Sequence, residues 1–148
     1  RGRGTNEDWR CPLEELPVGK GRLLREGRDV AVLTLGPVGR FAAEAIERAA
    51  AEGVSAAHFD LRYAKPLDEE MLHGVGRRFS RVITVENGVV QGGVGSAVLE
   101  FMERNGYGCR VEMLGIPDEF IPHGTPAQLH RLCGFDAEGI YGKLMEGR

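Results

Sequence analysis

The residues with chemistry to offer gather in one stretch, Val85-Glu86-Asn87-Gly88-Val89-Val90-Gln91-Gly92-Gly93-Val94-Gly95-Ser96. It follows a buried-looking apolar run and leads into a helical pattern. Glycines in that place present backbone N–H groups at a helix start, which is how proteins cradle phosphates. Glu112 follows at about the distance where a Rossmann acid holds a ribose hydroxyl. Two details weigh against a dinucleotide site. That fingerprint begins at the strand end, whereas Gly92 stands well beyond Val85, and Val98 occupies the place of the third glycine. No Lys-Ser/Thr pair completes a P-loop. A glycine turn that lets a helix start close to the sheet or to a partner chain is the plainer reading. Small-ligand or nucleotide binding through Gly92–Gly95 is the alternative.

Glu86 and Asn87 leave the carboxyl end of an apolar strand, where open α/β sheets place functional groups. A carboxylate there suits acid or base work, but no neighbour in sequence tunes it, so a hydrogen-bonding role in holding the loop is expected. The histidines His58, His73, His123 and His130 never fall at metal-ligand spacing. His123, in Ile121-Pro122-His123-Gly124, lies in a loop and suits a surface or packing role. Ser55, Ser80 and Ser96 have no nucleophile elbow or triad context. Cys11, Cys109 and Cys133 form no CxxC or Cys/His pattern, which fits a reducing cytoplasm and inert structural thiols. Asp60-Leu61-Arg62-Tyr63-Ala64-Lys65-Pro66-Leu67-Asp68 is dense in charge, and reads as a turn set by Pro66 with Asp68 at a helix start.

The elements that must position these groups alternate. Residues 20–25 suggest a short basic strand suited to a sheet edge. Residues 29–35 form a continuous apolar run ended by Gly36-Pro37, the pattern of a strand buried on both faces. A helix follows over 41–51, then a strand over 54–59. A second helix is expected over 67–79, burying Leu67, Met71, Leu72 and Val75. Strand 81–85, helix 96–105 with Ala97, Val98, Phe101 and Met102 inward, and strand 110–114 complete the rhythm. Short helices near 125–132 and 136–145 end the chain, the last capped by Asp136. The alternation gives an α/β fold with right-handed crossovers, a mostly parallel sheet and helices on both faces.

The 148 residues suffice for one core, and a formal net charge of −3 gives no reason to expect nucleic acid or an acidic membrane as partner. No apolar run approaches the roughly 20 residues of a membrane span. The chain starts at Arg1 with Arg1-Gly2-Arg3-Gly4-Thr5-Asn6, neither a signal nor a transit sequence, and reads as a domain cut from a longer enzyme. Residues 1–19 have linker composition, with Trp9, Leu13 and Leu16 available to pin them; residues 20–148 are the expected domain.

Four blocks resemble a known family. Asp60-Leu61-Arg62-Tyr63-Ala64-Lys65-Pro66-Leu67-Asp68-Glu69, and Thr84-Val85-Glu86-Asn87 with Gly92-Gly93-Val94-Gly95-Ser96-Ala97-Val98, are similar to the C-terminal domain of transketolase-like thiamine enzymes. The blocks 114–124 and 133–140 narrow the resemblance to the 1-deoxy-D-xylulose-5-phosphate synthases. The resemblance implies a mixed five-stranded sheet in a three-layer α/β/α sandwich, with one antiparallel edge strand. It implies a cytoplasmic, homodimeric parent that condenses pyruvate with D-glyceraldehyde 3-phosphate, releasing CO2, at the start of non-mevalonate isoprenoid synthesis and feeding thiamine and pyridoxal synthesis. Thiamine diphosphate and Mg2+ would be held by upstream domains, leaving this domain an assembly role and no catalytic, cofactor or metal residue.

One substrate contact is implied. In the family a Tyr-Pro-Arg-Gly segment closes the preceding domain, its arginine holding the substrate phosphate, and Arg1-Gly2 matches its last two letters. Arg3-Gly4 fits less well, because Arg-Gly would stand where Tyr-Pro belongs. His123 takes no catalytic role. The alternative parents are transketolase and the β subunit of a 2-oxoacid dehydrogenase.

Overall fold

The computed structural model describes residues 12–146. Five strands form one sheet: β1 (Arg22–Arg25), β2 (Val30–Leu35), β3 (Ala56–Asp60), β4 (Arg81–Val89) and β5 (Arg110–Ile116), in the order β1-β3-β2-β4-β5. Pairs β2–β3, β2–β4 and β4–β5 are parallel, and β1 lies antiparallel on β3. The expected three-layer α/β/α sandwich with one antiparallel edge strand is therefore present.

The central strand β2 owes its place to its composition. Val30, Ala31, Val32 and Leu33 are at most 2% exposed. Alternate residues feed two cores: Val30 and Val32 join one, Ala31 and Leu33 the other. Burying each such valine or leucine contributes about 1.5–3 kcal/mol, which is why an uninterrupted apolar run seeks the middle of the sheet. On the first face lie α1 (Gly39–Ala51) and α5 (Ala137–Met145), which deliver Ala42, Ala45, Ile46, Ala49, Ile140 and Leu144. On the second lie α2 (Glu69–Arg78) and α3 (Val94–Arg104), which deliver Leu72, Val75, Val98, Phe101 and Met102. The short α4 (Pro126–Leu132) buries no residue fully.

Several boundaries move from the sequence reading, each for a tertiary or capping reason. Helix α2 begins at Glu69, not Leu67, because Asp68 is the N-cap and accepts from the Met71 N–H at 3.1 Å. The same buried carboxylate accepts from the Gly21 N–H at 3.0 Å, so one residue caps a helix and anchors the approach to β1. Leu67 and Met71 are only partly buried. Strand β3 starts at Ala56, although Val54 is buried in the core before it. Strand β1 starts at Arg22, not Lys20. Helix α3 starts at Val94, and Ala97 is only partly buried. Asp136 caps α5 as expected, accepting from the Gly139 N–H at 2.9 Å.

Residues 12–17 have no regular structure, and Leu13 is fully exposed, so it does not pin this stretch to the domain. Trp9 lies outside the described residues.

Candidate functional site

Strand β4 does not end at Val85. It continues to Val89 by an irregularity against β5: Val85 faces Leu114 and Val89 faces Ile116, so β4 spends extra residues in between. The bulge swings Glu86 toward the start of α3 while Asn87 stays exposed. Glu86 is 7% exposed. Its carboxylate accepts from the Val94 N–H at 3.0 Å and the Gly95 N–H at 2.8 Å. A negative charge on the first turn of a helix is favoured by the helix dipole and by otherwise unpaired donors.

Gly93 makes room for this carboxylate, and Gly95 for the side chains of the strands beneath it. A Cβ on Gly93 would stand 2.5 Å from Glu86 Oε1, and one on Gly95 would stand 2.6 Å from Thr84 Oγ1. The remaining donors of the turn are also taken: Gly92 N–H donates to Ser96 Oγ at 3.1 Å and Gly93 N–H to the Val90 carbonyl at 3.2 Å. Gly92–Gly95 therefore presents no free N–H for a phosphate, and the nucleotide alternative fails on this geometry. Glu112 fails with it. It sits in the amino-terminal half of β5, paired with Arg81 at 2.6 Å, Arg110 at 3.0 Å and Lys143 at 3.6 Å. Arg81 further donates to the Lys143 and Leu144 carbonyls, tying the end of α5 to the sheet.

The topological switch lies between β2 and β4, where the chain turns from building one side of the sheet to building the other. A cleft of about 860 Å³ opens there, at the carboxyl ends of both strands. Its walls include Leu35, Ile116, Ile121, Leu129 and Phe135, with Asn87 and His130 on its lining. The His130 ring packs 5.4 Å from Phe41 and 5.0 Å from Phe135, centre to centre.

A second cleft, of about 520 Å³, lies between β1 and the start of α1 and includes His58, one of the four histidines without metal-ligand spacing. His58 is 3% exposed, with Nε2 3.0 Å from Thr34 Oγ1. Burial, reinforced by Arg22 and opposed by Asp60, lowers its pKa to about 4. The signal available in sequence was its inward parity with Ala56 in β3.

His123 is exposed in the loop before α4. Burial pushes the Cys109 thiol up, and burial with Glu119 pushes Cys133 up, away from thiolate chemistry. Arg1 and Cys11 lie outside the described residues. Among the described residues no group of His, Cys, Asp and Glu is arranged for a metal ion, and no helix is long and apolar enough to cross a membrane.

A doubly wound α/β/α sheet with a carboxylate-capped helix at its switch-side edge defines the class. Residues 19–140 match the transketolase, C-terminal domain family, and the chain belongs to it. The chain is 58% identical over 149 residues to the 1-deoxy-D-xylulose-5-phosphate synthase of Bacteroides fragilis, covering 100% of this chain and 23% of that protein. It is 55% identical over 147 residues to the protein of the same name from Bacteroides thetaiotaomicron, covering 99% and 23%. The chain thus spans under a quarter of the length of these relatives. Among solved structures, a split-gene transketolase in an inactive β4 tetramer superposes with a TM-score of 0.80 at 34% identity, over 86% of this chain and 42% of that one. A transketolase from Campylobacter jejuni superposes with a TM-score of 0.66 at 16% identity, over 93% of this chain and 20% of that one, a likeness of fold alone.

Proposed function

We propose that this chain is the C-terminal domain of a 1-deoxy-D-xylulose-5-phosphate synthase and serves it as an assembly domain. The observation that carries this is the 58% identity across the whole chain to a protein of that name, against 34% to the split-gene transketolase. The parent would condense pyruvate with D-glyceraldehyde 3-phosphate, releasing CO2, as a transketolase-type transferase of the cytoplasm. Thiamine diphosphate and Mg2+ belong, in this reading, to the parts of the relatives that this chain does not span.

The residues present fit that division of labour. The glycine turn at Gly92–Gly95, with its phosphate-cradling pattern, has its donors filled by Glu86, Ser96 and Val90. What this chain's residues do instead is fix a sheet edge and the helices beside it. Residues 1–19 act as the connection to the preceding domain and 20–148 as the domain proper, in keeping with the exposed, irregular backbone of 12–17. Arg1 is proposed as the phosphate contact for glyceraldehyde 3-phosphate in the assembled enzyme. The partners are the upstream domains and a second copy of the parent, with no nucleic acid or membrane.

The test is turnover by the purified 148-residue chain supplied with pyruvate, glyceraldehyde 3-phosphate, thiamine diphosphate and Mg2+. The expected result is no CO2 release and no deoxyxylulose phosphate. Turnover at enzyme-like rates would reject the assembly role.

A further inference from the structure

The cleft at the β2–β4 switch has work left to do after the glycine turn is accounted for. Its volume, about 860 Å³, is in the range of sites that enclose a small molecule. It lies where open α/β sheets place their ligands, outside the carboxyl ends of strands that diverge in connectivity. Two neutral-type polar side chains, exposed Asn87 and half-buried His130, line it beside the apolar walls, and neither the Asn87 amide nor a ring nitrogen of His130 has a hydrogen-bond partner among the described residues. An apolar pocket with a few unspent polar groups is the usual composition of a ligand site.

Charge narrows the ligand. Among the described residues no lysine or arginine lines the cleft, and the one carboxylate there, Glu86, has both oxygens engaged by the first turn of α3. A phosphate or carboxylate would meet that negative charge with no cation to offset it. We propose that this cleft binds a neutral small molecule, with an apolar ring or chain against Leu35, Leu129 and Phe135 and an amide- or carbonyl-type edge between Asn87 and His130. The amide of Asn87 both donates and accepts, and the His130 ring offers two nitrogens, so such an edge has hydrogen-bonding groups on both sides. The inference rests on this chain's own geometry and stands whichever parent the chain belongs to.

The test titrates the 15N-labelled 148-residue chain with benzamide, benzoate and phenyl phosphate as probes. Benzamide is expected to shift Asn87, Gly88, Leu129 and His130 resonances, while both anions leave them in place. Asn87→Ala and His130→Phe should each weaken benzamide about fivefold, the worth of one neutral hydrogen bond, without changing the rest of the spectrum. Leu129→Trp, which fills the cleft, should abolish the shifts. The proposal is overturned if the anions bind the cleft as well as benzamide. It is equally overturned if no cleft resonance moves, or if neither polar variant changes the affinity.

Discussion

The backbone N–H of Gly95, in the first turn of α3, donates at 2.8 Å to the carboxylate of Glu86, a residue of β4 nine positions earlier. With the Val94 N–H on its other oxygen, Glu86 replaces the short-range cap that α3 lacks, since its N-cap Gly93 makes no side-chain hydrogen bond. One side chain therefore sets the helix start, closes the glycine turn and excludes an anion from it.

Replacing this carboxylate should be costly because it strands two buried donors. Glu86→Ala is expected to lower stability by about 2–4 kcal/mol, and Glu86→Gln by about half of that, since an amide oxygen still accepts. Urea unfolding midpoints at neutral pH measure both. A cost within about 0.5 kcal/mol for the alanine variant would show that the cap is not stabilising.

Two glycines in neighbouring helices should respond oppositely to the same change. Gly74, inside α2, has open space where a Cβ would go, so Gly74→Ala should stabilise by about 0.5–1 kcal/mol through helix propensity. Gly95→Ala places a methyl 2.6 Å from Thr84 Oγ1 and 2.9 Å from Met113 Cγ, and should destabilise by about 1–3 kcal/mol. Thermal or urea unfolding of the pair gives the signs directly.

His58 makes stability depend on pH in a defined window. Its native pKa, about 4, lies below the unfolded value of 6.5, so the native state holds the ring neutral. Above pH 6.5 both states are neutral and the contribution is flat. As the pH falls from 6.5 toward 4 the unfolded chain takes up a proton that the native chain refuses, and stability falls by about 3 kcal/mol. His58→Gln should remove that component, leaving only the slope of the carboxylates. Unfolding midpoints for both proteins at several pH values across the window supply the comparison, and parallel curves would refute it.

The elements that were legible from sequence are those whose cause is local. The run Val30-Ala31-Val32-Leu33-Thr34-Leu35 announces a central strand by composition alone, and Asp136 announces a helix by its own side chain. What escaped depends on contacts remote in sequence. Glu86-Asn87-Gly88 reads as a loop, yet it belongs to β4 because the chain beyond it meets β5 again at Val89 and Ile116. The same segment hides the cap of α3, since the capping oxygen comes from a strand, not from the residue before the helix. The two clefts were not legible either. His58 stands between Ala57 and Phe59 with no motif around it, and the switch-point cleft needs Leu35, Ile121 and His130 brought together from three separate stretches.

In the proposed function this chain gives a synthase its architecture while the chemistry resides elsewhere in the parent. The most direct measurement replaces the corresponding portion of the Bacteroides fragilis relative with this chain and assays deoxyxylulose phosphate formation. The expected result is a folded chimera that turns over pyruvate and glyceraldehyde 3-phosphate at a rate near that of the unmodified relative. A chimera that folds, shown by a cooperative unfolding transition, and yet produces no deoxyxylulose phosphate would contradict it.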